Sequence, residues 1–316
     1  MNKQALAVLA LLLFGISTQI VAQGNRGKSK FADWSKPVNL GSTVNSAGND
    51  LAPALSKDGL SLYFTSTRPG FGGEDIWVSK RDDKRGEWGA PINLGLVVNS
   101  SSNDRLRSIS SDGRILLFQS DRPGGEGGSD IWASVRKRTH DDFAWGPPVN
   151  LGAVINSSMN ELGATYLLGN EGRNHKLYFS SNRPGGLGGA DLYASEIPSG
   201  GSFGPPVNLT ELNSAFNDTC MSISNDGLEI VFSSARSDPN NAANSFDLWV
   251  SARDSVFDAW SPPANLGSIV NATGSLDANP ALSFDGETLI FTSNRPGGLG
   301  GMDLYVTSRK KFDDGQ

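Results

Sequence analysis

Five acids stand at matching points of the 316-residue chain: Asp50, Asp104, Glu161, Asp218 and Asp277. Four of them close a run of the form V-N-S-x-x-N-D or a near variant, and Asp277 closes a looser version. Gathered in one place, such carboxylates can hold a hard cation such as calcium through their oxygens. They can also serve in pairs as the acid and the base or nucleophile of sugar chemistry. A plainer reading stands beside both. Arg68, Arg122, Arg183, Arg236 and Arg295 recur in step with the acids and can pair with them. A feature present in every unit more readily holds the units together than performs one reaction, because ion-pair networks imitate functional sites.

Departures from the repeat are sharper candidates, since a scaffold alone does not require them. Arg105 and Arg107 follow Asp104 at i and i+2, which on a strand point to the same side. They could form a forked site for a carboxylate, sulfate or phosphate. They could equally pair with acids of neighbouring units such as Asp50 or Glu161. The third unit has Glu161 in place of Asp and adds Tyr166, a phenol suited to acid–base work or to core packing at the position of Leu55 and Ile109. The ligand-binding set is therefore Asp50, Asp104, Arg105, Arg107, Glu161, Asp218 and Asp277. In an enzyme, the catalytic set would be Asp104, Glu161 and Tyr166.

Residues 236–246 replace a glycine-rich loop with a longer polar one, either a recognition element or a tolerated insertion. Cys220 reads as a small buried residue. His140 and His175 fall in loops away from the acids, which leaves no Ser-His-Asp triad and no histidine zinc site there. No metal centre and no cofactor motif is expected beyond a calcium at the acid ring. The run R-P-G-G-x-G-G precedes no helix, so it lacks the context of a phosphate cradle and reads as turn glycines with positive φ.

The elements that must position these residues are strands. The chain holds 38 Gly, 16 Pro and 15 Phe, with 37% hydrophobic and 19% charged residues, the profile of a turn-rich all-β protein. Its single cysteine excludes a disulfide framework. A net charge of -6 argues against a nucleic-acid partner.

One block recurs five times. Its first half is W-x-x-P-x-N-L-G, and its second half is S-x-D-G, an apolar strand, the glycine-rich run and an aromatic strand opened by Asp75, Asp130, Asp191, Asp247 or Asp303. Each block predicts four strands. In the first these are a (51–56), b (60–66), c (75–79) and d, the tryptophan segment, with an Asp-Gly tight hairpin between a and b. Tandem four-stranded units predict an all-β, single five-bladed β-propeller with four antiparallel strands per blade. The sequence opens on a d strand (34–41) and stops after a c strand, so the N-terminal d strand joins the last blade and closes the ring.

Residues 1–22 read as a signal peptide: Lys3, an apolar core from Ala5 to Phe14, and Ile20 and Ala22 before a cleavage point at Gln23. That core is too short to span a membrane. With Cys220 as the sole cysteine there is no lipid attachment point. Residues 23–31 read as a flexible leader and 32–316 as the propeller. The expectation is a periplasmic or secreted protein.

The motifs S-x-D-G, Y-F-x-S, R-P-G-G and D-[IL]-[WY]-x-S resemble the WD-like propeller repeats of the TolB type over roughly residues 32–310. The resemblance implies the fold and an exported bacterial protein. The sequence carries neither the N-terminal α/β domain of TolB nor the OmpA-like domain fused to similar propellers. Two functions are therefore expected. The first is a monomeric recognition module binding an envelope protein, peptide or glycan on the face of the d–a and b–c loops. The alternative is a carbohydrate-active enzyme, a glycoside hydrolase or polysaccharide lyase. A third expectation is a cation at the acid ring serving only as scaffold support.

Overall fold

β-branched and aromatic residues, punctuated by Gly, Pro, Asn and Asp, form twenty short strands and no helix among the described residues. The structure, a computed structural model, describes residues 30–169, 174–198, 201–237 and 245–312. The signal-peptide segment, the leader up to residue 29, and residues 170–173 and 238–244 of the two long loops lie outside the described residues.

Blade 1 is β2 (Asp50–Leu55), β3 (Ser61–Ser66), β4 (Asp75–Lys80) and β5 (Ile92–Asn93). Blade 2 is β6 (Asp104–Ile109), β7 (Ile115–Ser120), β8 (Asp130–Val135) and β9 (Val149–Asn150). Blade 3 is β10 (Glu161–Leu167), β11 (His175–Ser181), β12 (Asp191–Ile197) and β13 (Val207–Asn208). Blade 4 is β14 (Asp218–Ile223), β15 (Glu229–Ser234), β16 (Asp247–Ala252) and β17 (Ala264–Asn265). Blade 5 joins β18 (Asp277–Leu282), β19 (Thr288–Ser293) and β20 (Asp303–Ser308) to β1 (Val38–Asn39).

The protein is thus a five-bladed β-propeller of antiparallel four-stranded sheets. The N-terminal strand closes the ring through Val38 opposite Val306 and Asn39 opposite Tyr305.

The core lies between blades. The second strand of each blade is buried on both sides, so alternate residues face opposite neighbours. Leu62 and Phe64 pack with Ile290 and Leu304 of blade 5, while Tyr63 packs with Leu106 and Phe118 of blade 2. The same alternation repeats around the ring, giving five apolar clusters, each shared by two adjacent blades. Each buried Leu or Phe contributes about 1.5–3 kcal/mol relative to exposure.

Three local expectations need adjustment. The d strands pair over only two residues, and their tryptophans serve instead as platforms for an arginine from the end of the third strand. Arg81 lies 4.3 Å from Trp88, Arg136 4.3 Å from Trp145, Arg253 4.0 Å from Trp260 and Arg309 4.2 Å from Trp34. The Asp-Gly pairs sit in a wider turn closed by Ser56 and Ser61, with Gly59 at φ +71° and Asp58 accepting from Leu60 N–H, rather than in a two-residue hairpin.

In the glycine-rich run, only Gly124, Gly185 and Gly297 have positive φ. The next pair is required by close approach instead. A Cβ on Gly186 would stand 1.7 Å from the Asp191 carboxylate, and one on Gly188 would stand 1.9 Å from the Phe216 carbonyl of the next blade.

Candidate functional site

The first strands β2, β6, β10, β14 and β18 line the axis and touch their neighbours around it. Each opens on one of the five acids, so the predicted ring exists as a placement. Its geometry is that of a clamp. The Asp104 N–H donates to the Glu74 carbonyl of the preceding blade at 2.8 Å, and the other four acids repeat this link. The five side chains are fully buried.

Asp50 accepts from Ser46 N–H and Ser46 Oγ, and from Arg68 Nη2 at 2.7 Å. Asp104 adds Ser120 Oγ to the Ser100 and Arg122 donors. Glu161 is held by Ser157, Ser181 and Arg183, and Asp218 by Ser214 and Arg236. Asp277 has the fewest donors, Ala272 N–H and Arg295.

Each arginine also lies over aromatic rings of its blade, as Arg68 does over Phe64 and Trp77 at 5.2 and 5.3 Å. With donors on both of its oxygens, each carboxylate has few lone pairs left for a ligand. No group of three or more His, Cys, Asp or Glu side chains suited to a metal occurs among the described residues.

Deeper in the channel the five first strands bulge. Ala52, Cys220 and Asn279 take φ of 47°, 44° and 52°, and the register of β6 shifts between Leu106 and Ser108. A bulge re-aims the residue it carries. In blade 2 that residue is Arg107, and its side chain crosses the axis. Nη1 donates to Asn279 Oδ1 of blade 5 at 3.2 Å and to Cys220 Sγ of blade 4 at 3.3 Å, and Nη2 donates to Gln119 Oε1. Burial pulls the Arg107 pKa down to about 10, with Cys220 and Glu74 opposing that shift and Arg105 adding to it. Cys220 is therefore a half-buried channel residue rather than a packed core residue.

Arg105 does not share a fork with Arg107. It turns outward to the channel mouth and makes a bidentate pair with Glu74, Nε to Oε2 at 2.7 Å and Nη2 to Oε1 at 2.5 Å. Arg105, Glu74, Gln119 and Asp121 line a cleft of ≈ 330 Å³ with Asn103, Ser129 and Asn160, between blades 1, 2 and 3. Asp121 accepts from the Asn103 N–H and side-chain amide, both at 2.9 Å, and these bonds outweigh desolvation to hold its carboxyl below the usual range.

The sequence reading passed over Glu74, Gln119 and Asp121. A column-by-column comparison of the repeats finds them. Glu74 stands where other blades have Ser129, Ala190, Phe246 and Met302. Gln119 replaces the hydroxyls of Thr65, Ser180, Ser233 and Thr292, and Asp121 replaces Thr67, Asn182, Ala235 and Asn294.

Tyr166 is not brought to Glu161. It lies five residues along the same strand, about 16 Å away at 3.3 Å per residue. There it stacks on His175 at 5.6 Å, at the end of the channel away from the mouth, its pKa raised by burial and by Asp112. His175 is the first residue of β11 rather than a loop residue, and it accepts the Gly169 N–H.

No family model matches the sequence, and no curated protein matches it. Solved structures do. A GH62 α-L-arabinofuranosidase catalytic domain from Coprinopsis cinerea superposes with a TM-score of 0.60 at 12% identity, covering 89% of this chain and 98% of that one. An α-L-arabinofuranosidase from Podospora anserina, in complex with cellotriose, gives 0.58 at 11% identity over 89% and 98%. An endo-arabinase from Bacteroides thetaiotaomicron gives 0.52 at 16% identity over 90% and 100%. These likenesses show the fold. The resemblance to TolB-type repeats holds for the propeller architecture and is not confirmed as a family assignment.

Proposed function

We propose that this protein is a carbohydrate-directed propeller that takes a sugar in the mouth cleft of blades 1–3. One observation carries the reading. The cleft is built from Glu74, Arg105, Gln119 and Asp121, which no other blade supplies, and it sets donors beside acceptors in ≈ 330 Å³. Sugar hydroxyls need both, and the volume suits one or two rings. The arabinose-directed enzymes among the structural neighbours support the same ligand class. The five buried acids, Asp104 and Glu161 included, are read as the clamp of the scaffold.

A hydrolytic reading has its own support in the second carboxylate of the cleft and in those neighbours. Asp121, held ionised, is suited to the base or nucleophile role. Glu74 is the second carboxylate, and it would reach a substrate only on leaving the two hydrogen bonds from Arg105.

Calorimetry with arabino-, xylo- and cello-oligosaccharides, run beside a reducing-end assay on arabinan and arabinoxylan, separates these readings. Binding without release supports recognition. Release that Asp121→Asn or Glu74→Gln abolishes supports hydrolysis. Absence of both would remove the carbohydrate reading.

The reading of residues 1–22 supports export to the periplasm or beyond, and we propose separately that the protein is a monomer. N-terminal sequencing of the exported protein starting at Gln23, with light scattering, tests both points.

A further inference from the structure

A second cavity opens on the axis at the end opposite the mouth, at the a–b turns. It measures ≈ 80 Å³ and is walled by the first strands of all five blades. On the same scale one water takes about 10–15 Å³, so the space admits several waters or one small ion. Arg107, Ser108, Lys57, Tyr166, Ser222 and Phe284 are among its walls, and no Asp or Glu is.

Two polar atoms in this wall are buried without a partner, Arg107 Nε and Ser108 Oγ. Ser108 is 9% exposed. The acceptors that Arg107 does have are neutral: two amide oxygens and a sulfur. Among the described residues it makes no ion pair, whereas Arg105 beside it is neutralised by Glu74. A half-buried guanidinium without a counter-charge is costly, and so is a buried donor without an acceptor. Lys57, over the Phe284 ring at 4.4 Å, adds a second cation to the wall.

We propose that this axial cavity binds a small oxyanion, drawn by the uncompensated charge of Arg107 and by Lys57, with Arg107 Nε–H and Ser108 Oγ–H, which face no open space in this structure, becoming its donors through a small side-chain rotation. The shared chemistry is a compact group with several acceptor oxygens: free phosphate or sulfate, or the carboxylate of a sugar acid. The site is separate from the mouth cleft, and it stands or falls independently of the carbohydrate reading.

The test is calorimetry of the whole chain in low-salt buffer with phosphate, sulfate, acetate and glucuronate. The expected result is one saturable site per chain for at least one of these probes. Phosphate or sulfate alone would identify a free inorganic ion, and glucuronate would identify a sugar acid. Arg107→Gln should weaken binding at least tenfold. Should that variant fail to fold, Ser108→Ala and Lys57→Gln carry the test, each expected to weaken binding several-fold with unchanged circular dichroism. No saturable binding overturns the proposal. Binding untouched by Ser108→Ala and Lys57→Gln, or abolished by Arg105→Gln, overturns it as well.

Discussion

The Arg107 guanidinium of blade 2 donates to the Cys220 sulfur of blade 4, 3.3 Å away across the axis. One side chain thus partitions the channel, with the mouth cleft above it and the axial cavity below. The arrangement brings a positive charge into the ring without bringing an acid to meet it.

Replacing that charge should not harm the fold when no anion is present. Buried charges are often replaced by apolar residues of similar volume at no cost. Arg107→Met should therefore melt at or above the wild-type temperature in anion-free buffer. A loss of several degrees in thermal unfolding would show that the neutral contacts of Arg107 are worth more than its desolvation costs.

The clamp acids should behave in the opposite way. Removing one partner of a buried pair leaves the other uncompensated, at about 3–5 kcal/mol. Asp104→Ala leaves the donors of Ser100, Ser120 and Arg122 without their acceptor, whereas Asp277→Ala does so only for those of Ala272 and Arg295. Urea unfolding should rank Asp104→Ala as the more damaging. The reverse order would remove the counting argument.

Gly188→Ala should destabilise by about 1–3 kcal/mol, the usual range for overpacking. Its Cβ would meet a backbone carbonyl of the next blade, which no rotamer change can relieve. A wild-type midpoint in urea for this variant would refute close approach as the reason for the glycine.

Acid should reach the junction of blades 1 and 2 through Asp142. This carboxylate accepts from Ser61 Oγ at 2.9 Å, Tyr63 OH and Arg136 Nη1 at 3.1 Å, and pairs with Lys80 at 2.9 Å. Desolvation opposes these contacts, which together hold its pKa below the ordinary 3.8. Its contribution is complete above the unfolded value and is lost as pH falls below 3.8 through the folded one. Tyr63 is raised, chiefly by burial, so its contribution is lost as pH rises above 10.0. Asp142→Asn should flatten the acid limb of a stability–pH curve. An unchanged limb would assign the acid sensitivity to other carboxylates.

In the mouth cleft, Arg105→Gln should weaken sugar binding about tenfold while moving the melting temperature little. The Arg105–Glu74 pair is partly exposed, with Arg105 at 37%, and such pairs add little to stability. A large drop in melting temperature would make the pair part of the scaffold.

The repeat, its four strands and the ring closure were legible because the motif recurs in step with turn chemistry. Strand identity in such a chain is local, set by alternation and by Asp-Gly or Pro-Gly punctuation. The partners of Arg105 and Arg107 were not legible. Glu74 belongs to another blade, and the bulge at Arg107 rotates that residue away from the i, i+2 geometry of a regular strand. Tyr166 lies on the strand its sequence predicts but at the opposite end from Glu161, because sequence neighbourhood says little about which end of a channel a residue reaches. The clamp was legible as one of two readings, and the arginine in each unit was the signal.

Blade 5 takes three strands from one end of the chain and β1 from the other, through the pairs Val38–Val306 and Asn39–Tyr305. During synthesis the first four blades can assemble in order as they emerge. β1 must wait, unpaired, until β20 has been made, with nearly the whole chain in between. Tension applied to the two ends would likewise fall first on this seam, so the ring should open there before any blade unravels.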